Sequence, residues 1–208
     1  ASSFAVDVAG YYRSREIAYN NFDGRWRGGF NISNIGGKIQ YDEGGQENFL
    51  PSNLRAGVGF DFILDQDNVI GITTEFSKLL VPTPQDFDND GDIDADDNEI
   101  YQNESGLSGI LSSFNDAPDG FSEELQEFTW SLGAEYTYQD SFMVRTGYFN
   151  ENENKGSRKF FTLGAGFKFK SAQIDLSYLF STSQVRNPLE NTLRFGLTFN
   201  LGEEFYND

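Results

Sequence analysis

Apolar and polar residues alternate one by one along most of this chain, the period of a strand whose two faces meet different surroundings. The clearest run places Leu54, Ala56, Val58, Phe60, Phe62 and Leu64 on one side and Arg55, Gly57, Gly59 and Asp61 on the other. Ile70, Ile72, Thr74 and Phe76 repeat the pattern, as do Phe128, Trp130, Leu132, Ala134, Tyr136 and Tyr138. It continues through Phe142–Tyr148, Phe161–Phe169, Ala172–Phe180 and Leu193–Leu201. Near the start, Phe4, Val6 and Val8, then Trp26, Gly28, Phe30 and Ile32, mark two more strands. The chain therefore predicts about nine strands, each near the ~9–11 residues that cross a bilayer at a tilt.

The connections alternate as well. Asp65–Asp67, Gln139–Ser141 and Lys170–Ser171 read as tight turns, separated by long links at Gly36–Ser52, Leu80–Glu123, Asn150–Arg158 and Ser181–Asn191. Short periplasmic turns and long outer loops are the habit of outer-membrane barrels. The expected fold is thus all-β, a transmembrane antiparallel β-barrel crossing the bacterial outer membrane several times. A long link at Tyr11–Arg25 falls on the short-turn side, and the sequence gives no account of it. A soluble sandwich or lipocalin-like barrel would alternate too. The smaller face here carries Gly, Thr, Ser and charge, which suits a lumen, and aromatic residues recur at strand ends as a girdle requires.

Composition agrees with a wall between lipid and water. Only 38% of residues are hydrophobic, yet there are 21 Phe, 10 Tyr and 22 Gly. No run approaches the ~20 apolar residues of a spanning helix. The net charge of −18 argues against a nucleic-acid partner, which needs a basic face. With no cysteine and no histidine, disulfides, thiol chemistry and histidine-based catalysis are absent from this segment, and the chain is not expected to be an enzyme. Asp61 and Glu75 read instead as lumen charges paired with Arg55, Arg145 or Lys168. Single-chain bacterial barrels have an even strand number, so residues 1–208 are expected to be the C-terminal majority of one barrel, with an outer-loop insertion at about 80–123. An odd number of strands would precede Ala1.

The insertion holds the one sharp motif, Asp86–Asp97, reading DFDNDGDIDADD. Counted from Asp86, carboxylates fall at loop positions 1, 3, 5, 7, 9 and 12 (Asp86, Asp88, Asp90, Asp92, Asp94 and Asp97), with Gly91 at 6. This is calcium-loop spacing: a hard cation takes six to eight oxygens, and the glycine permits the bend. Asp97 replaces the usual Glu. A structural Ca²⁺ that stiffens the outer loop is expected, against the alternative of a plain acidic surface loop. Beyond it, Leu107, Ile110, Leu111 and Phe114 fall at helical spacing, and Phe121 follows a Pro118-Asp119-Gly120 turn. These five apolar residues either pack on their own loop or form a partner-binding surface.

Six segments carry a family resemblance: Gly24–Ile39, Asn53–Asp65, Lys78–Pro84, Phe121–Tyr136, Gly147–Lys168 and Asn187–Gly202. Together they resemble the PorV family, outer-membrane proteins of the type IX secretion system. The acidic insert departs from that family's pattern. The resemblance implies a FadL-like barrel of roughly fourteen strands, about five of them before Ala1. It also implies a shuttle role. Such proteins bind secreted cargo through its C-terminal signal domain at an outer-membrane translocon subunit and pass it to a surface attachment complex. The competing function is a FadL-like transporter of hydrophobic small molecules, which needs a continuous apolar lumen.

Overall fold

A computed structural model describes residues 2–41, 44–88, 90–183 and 190–200. The strands are β1 (Ala5–Arg13), β2 (Ile17–Ala18), β3 (Asp23–Gly36), β4 (Lys38–Gln40), β5 (Glu47–Phe49), β6 (Asn53–Ile63), β7 (Asn68–Leu79), β8 (Thr129–Tyr138), β9 (Phe142–Asn150), β10 (Lys159–Phe169), β11 (Ala172–Ser181) and β12 (Leu193–Phe199). Three helices interrupt them between β7 and β8: α1 (Ala95–Asn103), α2 (Gly106–Ser112) and α3 (Phe121–Glu124). Hydrogen bonds order the main strands β1-β3-β6-β7-β8-β9-β10-β11-β12, with β2 on β3 and a separate β4–β5 hairpin. No ladder joins β12 to β1 among the described residues. The ladders from β8 through β12 are antiparallel and fully in register. Leu201, together with residues 184–189 of the last long link, lies outside the described residues.

The chain folds as two compact units. The first comprises Ala1–Gly10, Gly29–Ala56 and Phe76–Thr129. Its centre is Ser52, only 2% exposed, whose hydroxyl donates to Asn34 O at 2.7 Å and whose carbonyl accepts from Leu80 N at 2.8 Å. Leu80 is equally buried, so the roots of the two longest links are fixed to one residue. Asn34 takes a positive φ of 58°, and its N–H is held by Asp7 Oδ1 at 2.8 Å.

The second unit comprises Tyr11–Gly28, Gly57–Glu75 and Trp130–Asp208, and holds the tight turns. Asp65 Oδ1 accepts the N–H groups of Asp67 and Asn68, both at 2.8 Å. Gln139 and Asp140 both take positive φ, 50° and 48°, as a tight hairpin between twisted strands demands. The Tyr11–Arg25 link is now accounted for: β2 folds back on β3, and Tyr19 stacks on Phe22 at 4.9 Å, beside Phe60 and Phe62.

The two faces of this unit differ as the alternation requires. Directly paired residues share a face, so Leu163 lies with Thr146 and Tyr178, and Leu197 with Ile174. That face is apolar and uncovered: Val144 is 61% exposed, Leu163 46%, Phe195 66% and Leu197 52%. On the opposite face Arg145 bridges Glu135 and Asp175, and Arg27 pairs with Asp61 at 2.7 Å. The Arg27 pair corrects an expectation. Arg55 sits six residues along β6 from Asp61, about 20 Å of extended chain, so it cannot reach it. Arg27, on the neighbouring strand and the same face, does, and it also donates to Thr73 at 3.2 Å.

Candidate functional site

The site with the most distinctive chemistry is the excursion between β7 and β8, within the first unit. Its acidic loop is organised by its own aspartates, which fold back on the backbone N–H groups that follow them. Asp86 accepts from Asp90 N and Gly91 N, at 3.2 and 2.9 Å, and Asp88 accepts from Asp90 N at 3.1 Å. Gly91 turns the chain with φ 101°, a conformation side chains rarely adopt.

The loop ends on a helix that the apolar pattern did not predict. Asp94 caps α1, accepting from Asp96 N at 2.9 Å, while Asp97 at the third helical position accepts from Asp94 N at 3.1 Å. This reciprocal capping box satisfies two donors at the helix start. Asp97 also accepts from Phe87 N at 2.6 Å and is only 1% exposed. These N–H groups, led by that of Asp94, outweigh desolvation and hold its carboxyl below the usual aspartate range. At Asp88 the Asp90 N–H draws the carboxyl down. Desolvation and the neighbouring Asp86 and Asp97 outweigh it, so this group titrates above its ordinary value.

Of the six predicted ligands, Asp86, Asp88 and Asp97 converge, with oxygens within 4.8 Å of one another. The others stand outside that cluster: Asp90 accepts from Asp92 N at 2.9 Å, Asp94 caps the helix, and Asp92 is exposed. Three carboxylates drawn together on a glycine-turned loop can offer a hard cation its oxygens. Such an ion would relieve the repulsion that raises Asp88.

The helices that follow pack on the 36–52 link. Tyr101 of α1 meets Phe49 edge-on at 5.1 Å and donates to Pro82 O at 3.2 Å. Lys38 caps the other end of α1, donating to Gln102 O at 2.7 Å and Tyr101 O at 3.3 Å. A cation at a helix C-terminus meets the negative end of its dipole; α1 has no basic residue of its own there. A methyl group at Gly109 of α2 would lie 2.6 Å from Phe49 Cε1 and 3.0 Å from Pro82, so the helix approaches its own loop through this residue.

Of the five predicted apolar contacts, Ile110 is half-buried, whereas Leu107, Leu111 and Phe121 are 60%, 74% and 74% exposed. Phe114 lies beyond the end of α2, and Phe121 opens α3. Leu111, with Phe87, Ile100, Asn103 and Asn115, lines a groove of about 620 Å³. Thus α2 packs on its own loop through Gly109 and leaves Leu107 and Leu111 exposed. Sequence reasoning missed a second acidic group, Asp116, Glu124 and Glu127, because no motif spacing joins them.

Residues 1–86 match the model of the family described as type IX secretion system protein PorV. The resemblance is thereby shown for that part of the chain, which contains three of the six segments that carry it. The match stops at the first residue of the acidic loop. No curated protein matches the chain.

Proposed function

We propose, from the PorV match, that this chain is the wall and outer-loop portion of an outer-membrane barrel of the type IX secretion system. It serves as a shuttle subunit. It receives secreted proteins by their C-terminal signal domains at the translocon and passes them to the surface attachment complex. The observation that carries the reading is the family match over residues 1–86. The membrane placement is supported by the uncovered apolar face of β8–β12, since exposed apolar area of that extent marks a membrane or protein contact. Among the described residues no helix is long and apolar enough to cross a membrane, and in this reading spanning falls to the strands.

In this reading the 80–123 excursion faces outward and offers the groove beside Leu111, and Leu107 and Phe121 are exposed on it as well. Ca²⁺ bound by Asp86, Asp88 and Asp97 holds the excursion in shape, because a pre-ordered loop loses less entropy on contact. The chain docks folded cargo and performs no chemistry on it. The charged face, with Arg27, Asp61, Glu135, Arg145 and Asp175, offers no apolar path for a hydrophobic solute.

The test is affinity purification of the tagged protein from native membranes, followed by mass spectrometry. Recovery of a translocon subunit together with proteins bearing the C-terminal signal domain is expected. Purified protein that ignores such domains but retains long-chain lipid would overturn the shuttle and leave the FadL-like transporter.

A further inference from the structure

Four side chains from both ends of the excursion meet at its base, inside the first unit. Lys78 is the penultimate residue of β7, Asp116 follows α2, and Glu124 and Glu127 lie on α3 and the 3₁₀ turn after it. Lys78 is fully buried. Its Nζ lies 2.6 Å from Glu124 Oε1, and it donates to Glu127 Oε2. Asp116 and Glu124 are 8% and 4% exposed. One carboxylate oxygen from each of Asp116, Glu124 and Glu127 lies within 4.8 Å of the other two.

The group is not closed by its own contacts. Asp116 Oδ2 accepts from Thr83 N at 2.7 Å, but its Oδ1 is buried with no hydrogen-bond partner. Glu124 Oε1 is near Lys78 but outside hydrogen-bonding angles, and Oε2 is buried without a partner of either kind. Three carboxylates thus face one ammonium, in a place where unpaired charge is costly. A water could satisfy an oxygen but would leave the charge. One divalent cation removes both defects.

We propose that Asp116, Glu124 and Glu127 bind one Ca²⁺ at the base of the excursion, separate from the acidic loop. Lys78 contacts Glu124 Oε1 and Glu127 Oε2, and Thr83 Oγ1 donates to Glu127 Oε1 at 3.4 Å, so Glu124 Oε2 and Asp116 Oδ1 turn to the ion outright while Glu127 shares an oxygen between the ion and these donors. Ca²⁺ takes oxygens in a flexible geometry and can be held by carboxylates alone, whereas Mg²⁺ demands a near-ideal octahedron and keeps waters for which a buried site has little room. The ion would clamp the start of the excursion, at Lys78 and Thr83, to its end at Glu124 and Glu127. This does not depend on the shuttle reading, because calcium occupancy is measured without cargo.

The test is calcium binding by the full chain in detergent, after chelator treatment, read by equilibrium dialysis. The unmodified chain should bind about two ions, Asp97→Asn about one, and Asp97→Asn with Glu124→Gln none. Should Glu124→Gln misfold, Asp116→Asn serves in its place. Hydrogen exchange on the Asp97→Asn chain needs no change at the base: calcium should protect the peptide spanning residues 121–128. Loss of all binding in Asp97→Asn, or occupancy unchanged by Glu124→Gln and Asp116→Asn, overturns the proposal. Absence of calcium-dependent protection at residues 121–128 does so equally.

Discussion

Asp97 shows how one residue can carry two readings. Its place in the acidic run marks it as the last ligand of a calcium loop, and its place in space makes it the third residue of α1, closing a capping box with Asp94. The two are compatible, because a carboxylate holding the Phe87 and Asp94 N–H groups is already fixed where Asp86 and Asp88 converge. Its pKa gives a prediction. The folded carboxyl titrates below its unfolded value, so its contribution to loop order is fully present above the unfolded pKa. It is lost as pH falls through the lowered folded pKa. In calcium-free buffer the amide resonances of Phe87 and Asp94 should therefore hold their positions through the usual aspartate range and shift only in stronger acid. A shift centred at or above the ordinary aspartate value would show that these bonds do not hold the carboxylate. Asp97→Asn should remove the acid transition.

Among the elements, the strands were legible because period two is written into consecutive residues: Leu163 and Gly164 announce opposite faces without help from distant contacts. The helices were less so. The segment of α1, ADDNEIYQN, carries no apolar stripe, and it is held by contacts from elsewhere, Tyr101 on Phe49 and Lys38 on its last carbonyls. The β4–β5 hairpin has three-residue strands, too short to show a period. The base cluster was invisible for a related reason, since its acids are spread over residues 116–127 and converge only when the excursion closes on Lys78. The alternation of short and long connections yields a prediction at this scale. Asn103 at the end of α1 and Gln66 in the Asp65–Asp67 turn are both exposed. A membrane-impermeant maleimide on intact cells should label Asn103→Cys and spare Gln66→Cys, and both should react once the membrane is opened. Labelling of Gln66→Cys on intact cells would invert the proposed sidedness, because burial cannot explain the difference.

For the molecule as a whole, the deciding question is what covers the apolar face. A soluble protein would bury Val144, Leu163, Leu176 and Phe195 against a second layer, yet these are 61%, 46%, 46% and 66% exposed. The buried leucines among the described residues are Leu80 and Leu179, far too few for a water-soluble core. If lipid is the missing layer, the two faces should respond oppositely to the same charge. Leu163 lies mid-strand on the apolar face, so Leu163→Arg should destabilise the membrane-inserted protein by about 2–4 kcal/mol. Gly196, on the charged face, offers room: a methyl group there would lie 3.6 Å from Asp175 Cβ, beside the carboxylate that Arg145 and Gln173 already hold. Gly196→Arg should change stability by less than about 1 kcal/mol, the scale of substitutions away from packed sites. Urea unfolding in lipid vesicles, followed by tryptophan fluorescence, measures both. Equal effects would mean that the apolar face meets another protein layer or water, and a reversed order would place the charged face toward lipid.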